Sequence, residues 1–119
     1  MIKVLIIGRK SFIGSNLYFF LKKKIFLKLI SFSKIKNKNK NFFKNYTHII
    51  NCSVNPNYVK YKHKNKSDND LIIAKKIKNL KVKYIFFSSR KIYNPKYDIK
   101  ENNVPHPVCN YSKNKLITE

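Results

Sequence analysis

LIIGRKSFIGSNL, residues 5–17, holds the only two glycines of a 119-residue chain, Gly8 and Gly14. Ahead of the turn, Ile2, Val4, Leu5, Ile6 and Ile7 form a continuous apolar run that stops at glycine, as a strand buried in a parallel sheet does. Beyond it, Phe12, Ile13, Leu17, Phe20 and Leu21 recur at helical spacing, up to lysines at 22–24 that suit a helix C-terminus. A strand, a glycine turn and a helix with a glycine in its first turns make a seat for a pyrophosphate. The first glycine makes the tight turn, the last lets helix and strand approach, and the helix N-terminus faces the anion. A Walker-type phosphate loop is excluded, because no glycine precedes Lys10 at the required spacing.

Working outward, IFLKLIS (25–31), THIINCS (47–53) and KYIFFSS (83–89) read as three further strands. KIKNKNKN (34–41) reads as a charged, solvated and mobile connection, and VNPNYVKYKHKNK (54–66) carries turn signals and no clear period. Ser67 is placed to cap a helix with Asp68 and Asp70 in its first turn, and Ile73, Ile77 and Leu80 mark its buried face. A long loop with Pro95, Pro105 and Pro107 follows, and CNYSKNKLITE opens a last helix. This alternation predicts one α/β domain with a parallel sheet of about four strands and flanking helices.

The formal net charge is +22, from 25 Lys and 2 Arg against 5 acids. Such a chain with interleaved aromatics invites a nucleic-acid reading. Yet phosphate and base recognition favour arginine's bidentate fork, and arginine is scarce here. Lys, Asn, Ile, Phe and Tyr are all A/T-rich-codon residues and make up 74 of the 119 positions, with Ala present once. Codon bias is therefore the simpler source of the charge, with a functional basic surface as the alternative. Lys22, Lys23, Lys24 and Lys28 interrupt the apolar segment 12–30, which excludes it as a membrane span. MIKVLII is too short for a secretory apolar region. Cys52 and Cys109 have no CxxC spacing, so a reduced, cytoplasmic protein without a metal is expected.

Four motifs resemble the extended short-chain dehydrogenases/reductases, the branch that includes nucleotide-sugar epimerases, dehydratases and reductases. GRKSFIGSNL (8–17) resembles that branch's GxxGFIGSxL, with Gly8, Ser11 and Gly14 filling G-x-x-G-x-x-G and Ser11 standing at the middle glycine. NCS (51–53) sits where the family has its strand-ending N-x-A, and FFSSRKIY (86–93) resembles SSxxVYG. Tyr111 and Lys115 fill YxxxK, with Glu119 following as in YxxSKxxxE.

The resemblance implies a partial Rossmann-like domain over 1–119 that binds NAD(P) and takes part in hydride transfer on a nucleotide-sugar. Cofactor contacts are implied for Gly8, Ser11, Phe12, Ile13, Gly14, Ser33, Lys34, Asn51, Cys52, Ser53, Tyr111 and Lys115. Catalytic roles are implied for Ser89, Tyr111 and Lys115. Tyr111 and Lys115, at i and i+4, share a helix face. A phenol ordinarily titrates near ~10, and an adjacent ammonium favours its phenolate, as an acid/base needs. Ser31, Phe32, Ser33 and Lys34 occupy the end of the second strand with no carboxylate among them, which points to NADP over NAD.

Family members are more than twice this long, so the chain is expected to represent an N-terminal half, a truncated product or a half that needs a partner chain. Little turnover is expected from it alone, and an apolar sheet edge left uncovered favours self-association. The alternatives are a non-catalytic nucleotide-binding remnant and, less favoured, a basic nucleic-acid binder.

Overall fold

A computed structural model describes residues 1–89, 92–93 and 99–119. Arg90 and Lys91 of the FFSSRKIY segment, and Pro95, lie outside the described residues. Two compact units are present: Met1–Ser53 with Asn69–Phe87, and Val54–Asp68 with Ser88–Glu119.

The first unit is built on a four-stranded sheet of β1 (Lys3–Ile7), β2 (Phe26–Ile30), β3 (His48–Asn51) and β4 (Lys83–Phe86), in spatial order β2-β1-β3-β4. All three pairings are parallel. Ile7 lies opposite both Ile30 and Asn51, so Gly8, Ser31 and Cys52 leave the sheet at one edge. The apolar run read in β1 is buried from Val4 to Ile7, as a central parallel strand requires.

One face of the sheet carries the core, where Leu5, Ile7, Ile30 and Ile49 meet Ile35, Phe43, Tyr46, Ile73 and Ile77. Ile73 and Ile77 come from α5 (Asn69–Ile77). Ile35 and Phe43 come from α2 (Phe32–Ile35) and α3 (Lys40–Phe43), so the 34–41 segment is not the featureless connection expected. It holds parts of two single-turn helices, the second capped by Asn39, each sinking one apolar side chain into the core.

α1 (Phe12–Leu21) follows the glycine turn as expected, but its apolar pattern is not buried. Phe12 is 83% and Phe20 68% exposed, and only Gly14 is fully buried. Lys22 and Lys24 lay their ammonium groups 4.5 and 4.3 Å from the Phe19 and Phe20 ring centres. Ile85 on β4 and Phe87 just beyond it are also exposed.

The second unit contains α4 (Pro56–Lys60), a 3-10 turn (Asn65–Ser67) and α6 (Asn110–Thr118). α4 starts where the sequence showed only a turn: the Asn55 side chain caps it and Pro56 takes the first helical position. Ser67 is not a helix cap. Its hydroxyl donates to Lys64 O within the 3-10 turn, and Asp68 lies before α5 rather than in its first turn.

Candidate functional site

In the first unit, β1 lies between β2 and β3, and the glycine turn leaves its C-terminal end where the strand order switches direction. Open parallel sheets bind ligands at that position. Gly8 has φ +121°, a conformation that side chains rarely adopt, and a Cβ there would meet Cys52 C and Ser53 N at 3.0 Å. A Cβ on Gly14 would lie 2.5 Å from Gly8 O, so the helix approaches the turn as closely as a missing side chain permits. Ser11, by contrast, has φ −74° and ψ 135°, open to any residue, so the backbone conformation there does not require a glycine. Its Oγ accepts from Gly14 N–H (3.3 Å) and caps α1. Helix geometry leaves the N–H groups of Phe12 and Ile13 without intrahelical partners.

Next to the turn, a cleft of about 430 Å³ is lined by Arg9, Lys28, Leu29, Ile30, Ser31, Lys34, Asn37 and Lys38. Among the described residues four cations and no acid face this space, and Arg9 Nη2 donates to Leu29 O at 3.4 Å. Lys34 belongs to this lining. Ser33 is exposed on α2 and does not, and Ser31 takes that place.

The strand-ending NCS is held by a polar network. Asn51 Nδ2 donates to Asp70 Oδ1 (2.6 Å) and to Ser53 O (3.2 Å). Ser53 returns bonds from its N–H and hydroxyl to Asn51 Oδ1 (2.9 and 2.6 Å). Tyr84 OH donates to Asp70 Oδ1 (2.8 Å), and Asn69 Nδ2 to Ser53 Oγ (3.0 Å). Asn51 thus orders the segment rather than pointing away from it. Burial, reinforced by the Asp70 charge, pushes the Cys52 thiol up to about 11, so it stays protonated near neutrality. Asn69 Oδ1 is a buried acceptor without a hydrogen-bond partner.

In the second unit, Tyr111 and Lys115 lie on α6 with the Lys115 ammonium 6.0 Å from the Tyr111 ring centre. Lys115 is buried and Tyr111 half-buried. α6 begins with Cys109 N–H donating to Ser112 Oγ (3.1 Å). Ser89 is half-buried, and its carbonyl accepts from Ile92 N–H (3.2 Å). Tyr58 was passed over in the sequence, yet its ring sits under Lys115 at 5.5 Å and against Tyr111 at 6.1 Å. The sequence marks Asp70 only as an acid in the first turn of a helix, and assigns Arg9 and Asn114 no role. Asp70 alone left a signal, being one of few acids in a basic chain.

No protein-family model matches the chain, and neither does any curated protein. Solved structures do match. The UDP-glucuronic acid 4-epimerase of Bacillus cereus in complex with NAD superposes at TM-score 0.72, with 17% identity over 98% of this chain and 50% of that one. A dTDP-4-dehydrorhamnose reductase of Clostridium acetobutylicum superposes at 0.73, with 19% identity over 98% and 47%. The UDP-N-acetylglucosamine 4-epimerase of Methanobrevibacter ruminantium, in complex with UDP-N-acetylmuramic acid, gives 0.69, with 24% identity over 98% and 48%. The chain shares the fold of the matching half of these proteins. At these identities the likeness speaks for the fold, and the chain spans about half the length of each of these proteins. No described helix is long and apolar enough to cross a membrane.

Proposed function

We propose that the chain binds a nicotinamide dinucleotide at the glycine turn, NADP in preference to NAD, and belongs to the oxidoreductase chemistry of nucleotide-sugars. The observation that carries this reading is the 2.5 Å approach of a would-be Gly14 Cβ to Gly8 O, behind a Gly8 that only glycine readily permits. That cradle fits a pyrophosphate: the open N–H groups of Phe12 and Ile13 and the start of α1 supply donors and positive potential. The basic cleft supports the preference for NADP. Arg9, Lys34 and Lys38 meet a phosphate with charge, and Ser31 adds a hydroxyl. Asn69 Oδ1 offers an acceptor to a ligand hydroxyl.

The bound dinucleotide supplies hydride transfer. This chain's residues orient and move protons. Tyr111 exchanges a proton with the substrate hydroxyl or carbonyl, Lys115 beside it holds the ribose, and Ser89 hydrogen-bonds the reacting oxygen. Substrate recognition by a nucleotide-sugar, a cytoplasmic setting and a role in surface polysaccharide precursors belong to the same proposal.

A fluorescence titration at about 0.15 M salt tests it, because nonspecific phosphate attraction is screened there. Saturable NADPH binding is expected, with NADH weaker by about tenfold and the Arg9→Ala, Lys34→Ala double variant bringing NADPH to the NADH level. Absence of saturable binding by either dinucleotide overturns the reading. Equal binding of both removes only the NADP preference.

A further inference from the structure

The face of α6 that carries Tyr111 and Lys115 also carries Asn114 and Thr118, at i, i+3, i+4 and i+7. Every one of these four side chains meets Tyr58 or its backbone. Asn114 Nδ2 donates to the carbonyls of Tyr58 and Tyr61, both at 2.7 Å, which ties α6 to the end of α4. The Tyr58 ring, 3% exposed, receives the Lys115 ammonium at 5.5 Å and meets the Tyr111 ring edge-on at 6.1 Å and 80°.

The ring is fixed from its far end. Tyr58 OH lies 2.6 Å from Thr118 Oγ1, and Thr118 Oγ1 donates to Asp68 Oδ2, also at 2.6 Å. The Thr118 hydroxyl has one proton. Given to the carboxylate, it leaves Thr118 Oγ1 to accept from Tyr58 OH. His63 Nε2 reaches the same Asp68 Oδ2 at 2.8 Å, and Asp68 is fully buried. A buried carboxylate with several donors is a strong, directional anchor.

We infer that Tyr58 is the positioning residue of the Tyr111–Lys115 pair: a π platform, locked through Thr118 onto Asp68, that holds the Lys115 ammonium beside the Tyr111 ring. The inference rests on the roles proposed above for those two residues. A buried ammonium on a flexible four-carbon stem needs such a guide, because an aromatic face attracts the charge without neutralising it or occupying its donors. Tyr58 itself does no chemistry.

The test combines two readouts on the full chain. In lysine-13C-labelled protein, with the resonance identified by Lys115→Arg, ring currents place the Lys115 ε-methylene upfield of the other lysines. Tyr58→Phe keeps that position, and Tyr58→Leu moves it most of the way to the bulk. NADPH affinity falls about tenfold in Tyr58→Leu and stays within about threefold of wild type in Tyr58→Phe. Thr118→Val keeps the ring and removes its lock, so it gives a partial upfield loss and serves if Tyr58→Leu does not fold.

A wild-type Lys115 resonance lying among the bulk lysines overturns the inference. So does a Tyr58→Leu protein whose Lys115 signal moves while NADPH affinity is unchanged. If the wild type binds no NADPH but Lys115 keeps its upfield position, the cofactor reading falls and the Tyr58 platform stands.

Discussion

The two units are held together by different physics. In the first, the centre is Leu5, Ile7, Ile49, Ile73 and Phe43, apolar side chains packed on one face of a parallel sheet. In the second, the buried set among the described residues includes Ser67, Asp68, Ser112, Asn114 and Lys115, together with Tyr58 and Ile92. Apolar burial is non-directional, so a sheet core accepts exchange among Ile, Leu and Phe as long as volume is kept. Hydrogen bonds to a buried carboxylate or between an amide and two carbonyls have no such latitude. Exchange among apolar side chains therefore leaves the sheet core intact, whereas the second unit depends on particular polar atoms such as Asp68 Oδ2 and Asn114 Nδ2.

The contrast breaks most visibly at the glycine turn, where the sheet unit, as in its Asn51–Asp70 network, depends on geometry. Gly14→Val puts a branched side chain where even a Cβ meets the Gly8 carbonyl at 2.5 Å. The expected cost is about 3 kcal/mol or more, outweighing the roughly 1 kcal/mol of helix propensity that glycine forgoes. A urea midpoint for Gly14→Ala within about 0.5 kcal/mol of wild type would sink the close-approach account.

A matched pair sharpens the comparison. Ile49→Ala empties the sheet core and Asp68→Ala strips the acceptor from Thr118 and His63, each at about 3 kcal/mol. Native-state hydrogen exchange distinguishes where the loss falls. Ile49→Ala should lower protection in β1 and β3, and Asp68→Ala in α4 and α6. Equal loss throughout in both variants would show one cooperative body and end the distinction.

The smallest expected effect is alkaline. An unfolded thiol loses its proton near ~8.5, whereas folded Cys52 holds it up to about 11. Its stabilising contribution is full below the lower value and is lost as pH rises to the upper one. Melting of wild type against Cys52→Ser from pH 8 to 11 should show the wild type losing ground. At pH 8 the exposed Cys109 should react with a disulfide reagent before Cys52 does. A Cys52 that reacts as fast as Cys109 would contradict the burial argument.

Four strands, the glycine turn, α1, α5 and α6 were legible in the sequence, because each carries a signal that needs no partner. Continuous apolar runs mark β1 and β3, glycine at Gly8 and Gly14 marks a backbone that excludes side chains, and YxxxK marks α6. The short helices α2, α3 and α4 were not legible. One turn of helix is too short to show a period and is stable only through what it packs against. α1 erred in the other direction: its helical period was real, but Phe12 and Phe20 stay exposed, so periodicity marked a helix without marking its buried face.

Likewise, Gly8 and Gly14 could be named from the turn they make and Tyr111 and Lys115 from the resemblance, while the groups that hold them could not. Asn51 reaches Asp70 across 19 positions, Asn114 reaches Tyr58 across 56, and Thr118 reaches Asp68 across 50. Local sequence determined which backbone conformations and which chemical groups were available. Only the tertiary structure decided which of those groups would face each other, because hydrogen bonds and packing act over a few ångströms in space and take no account of distance along the chain.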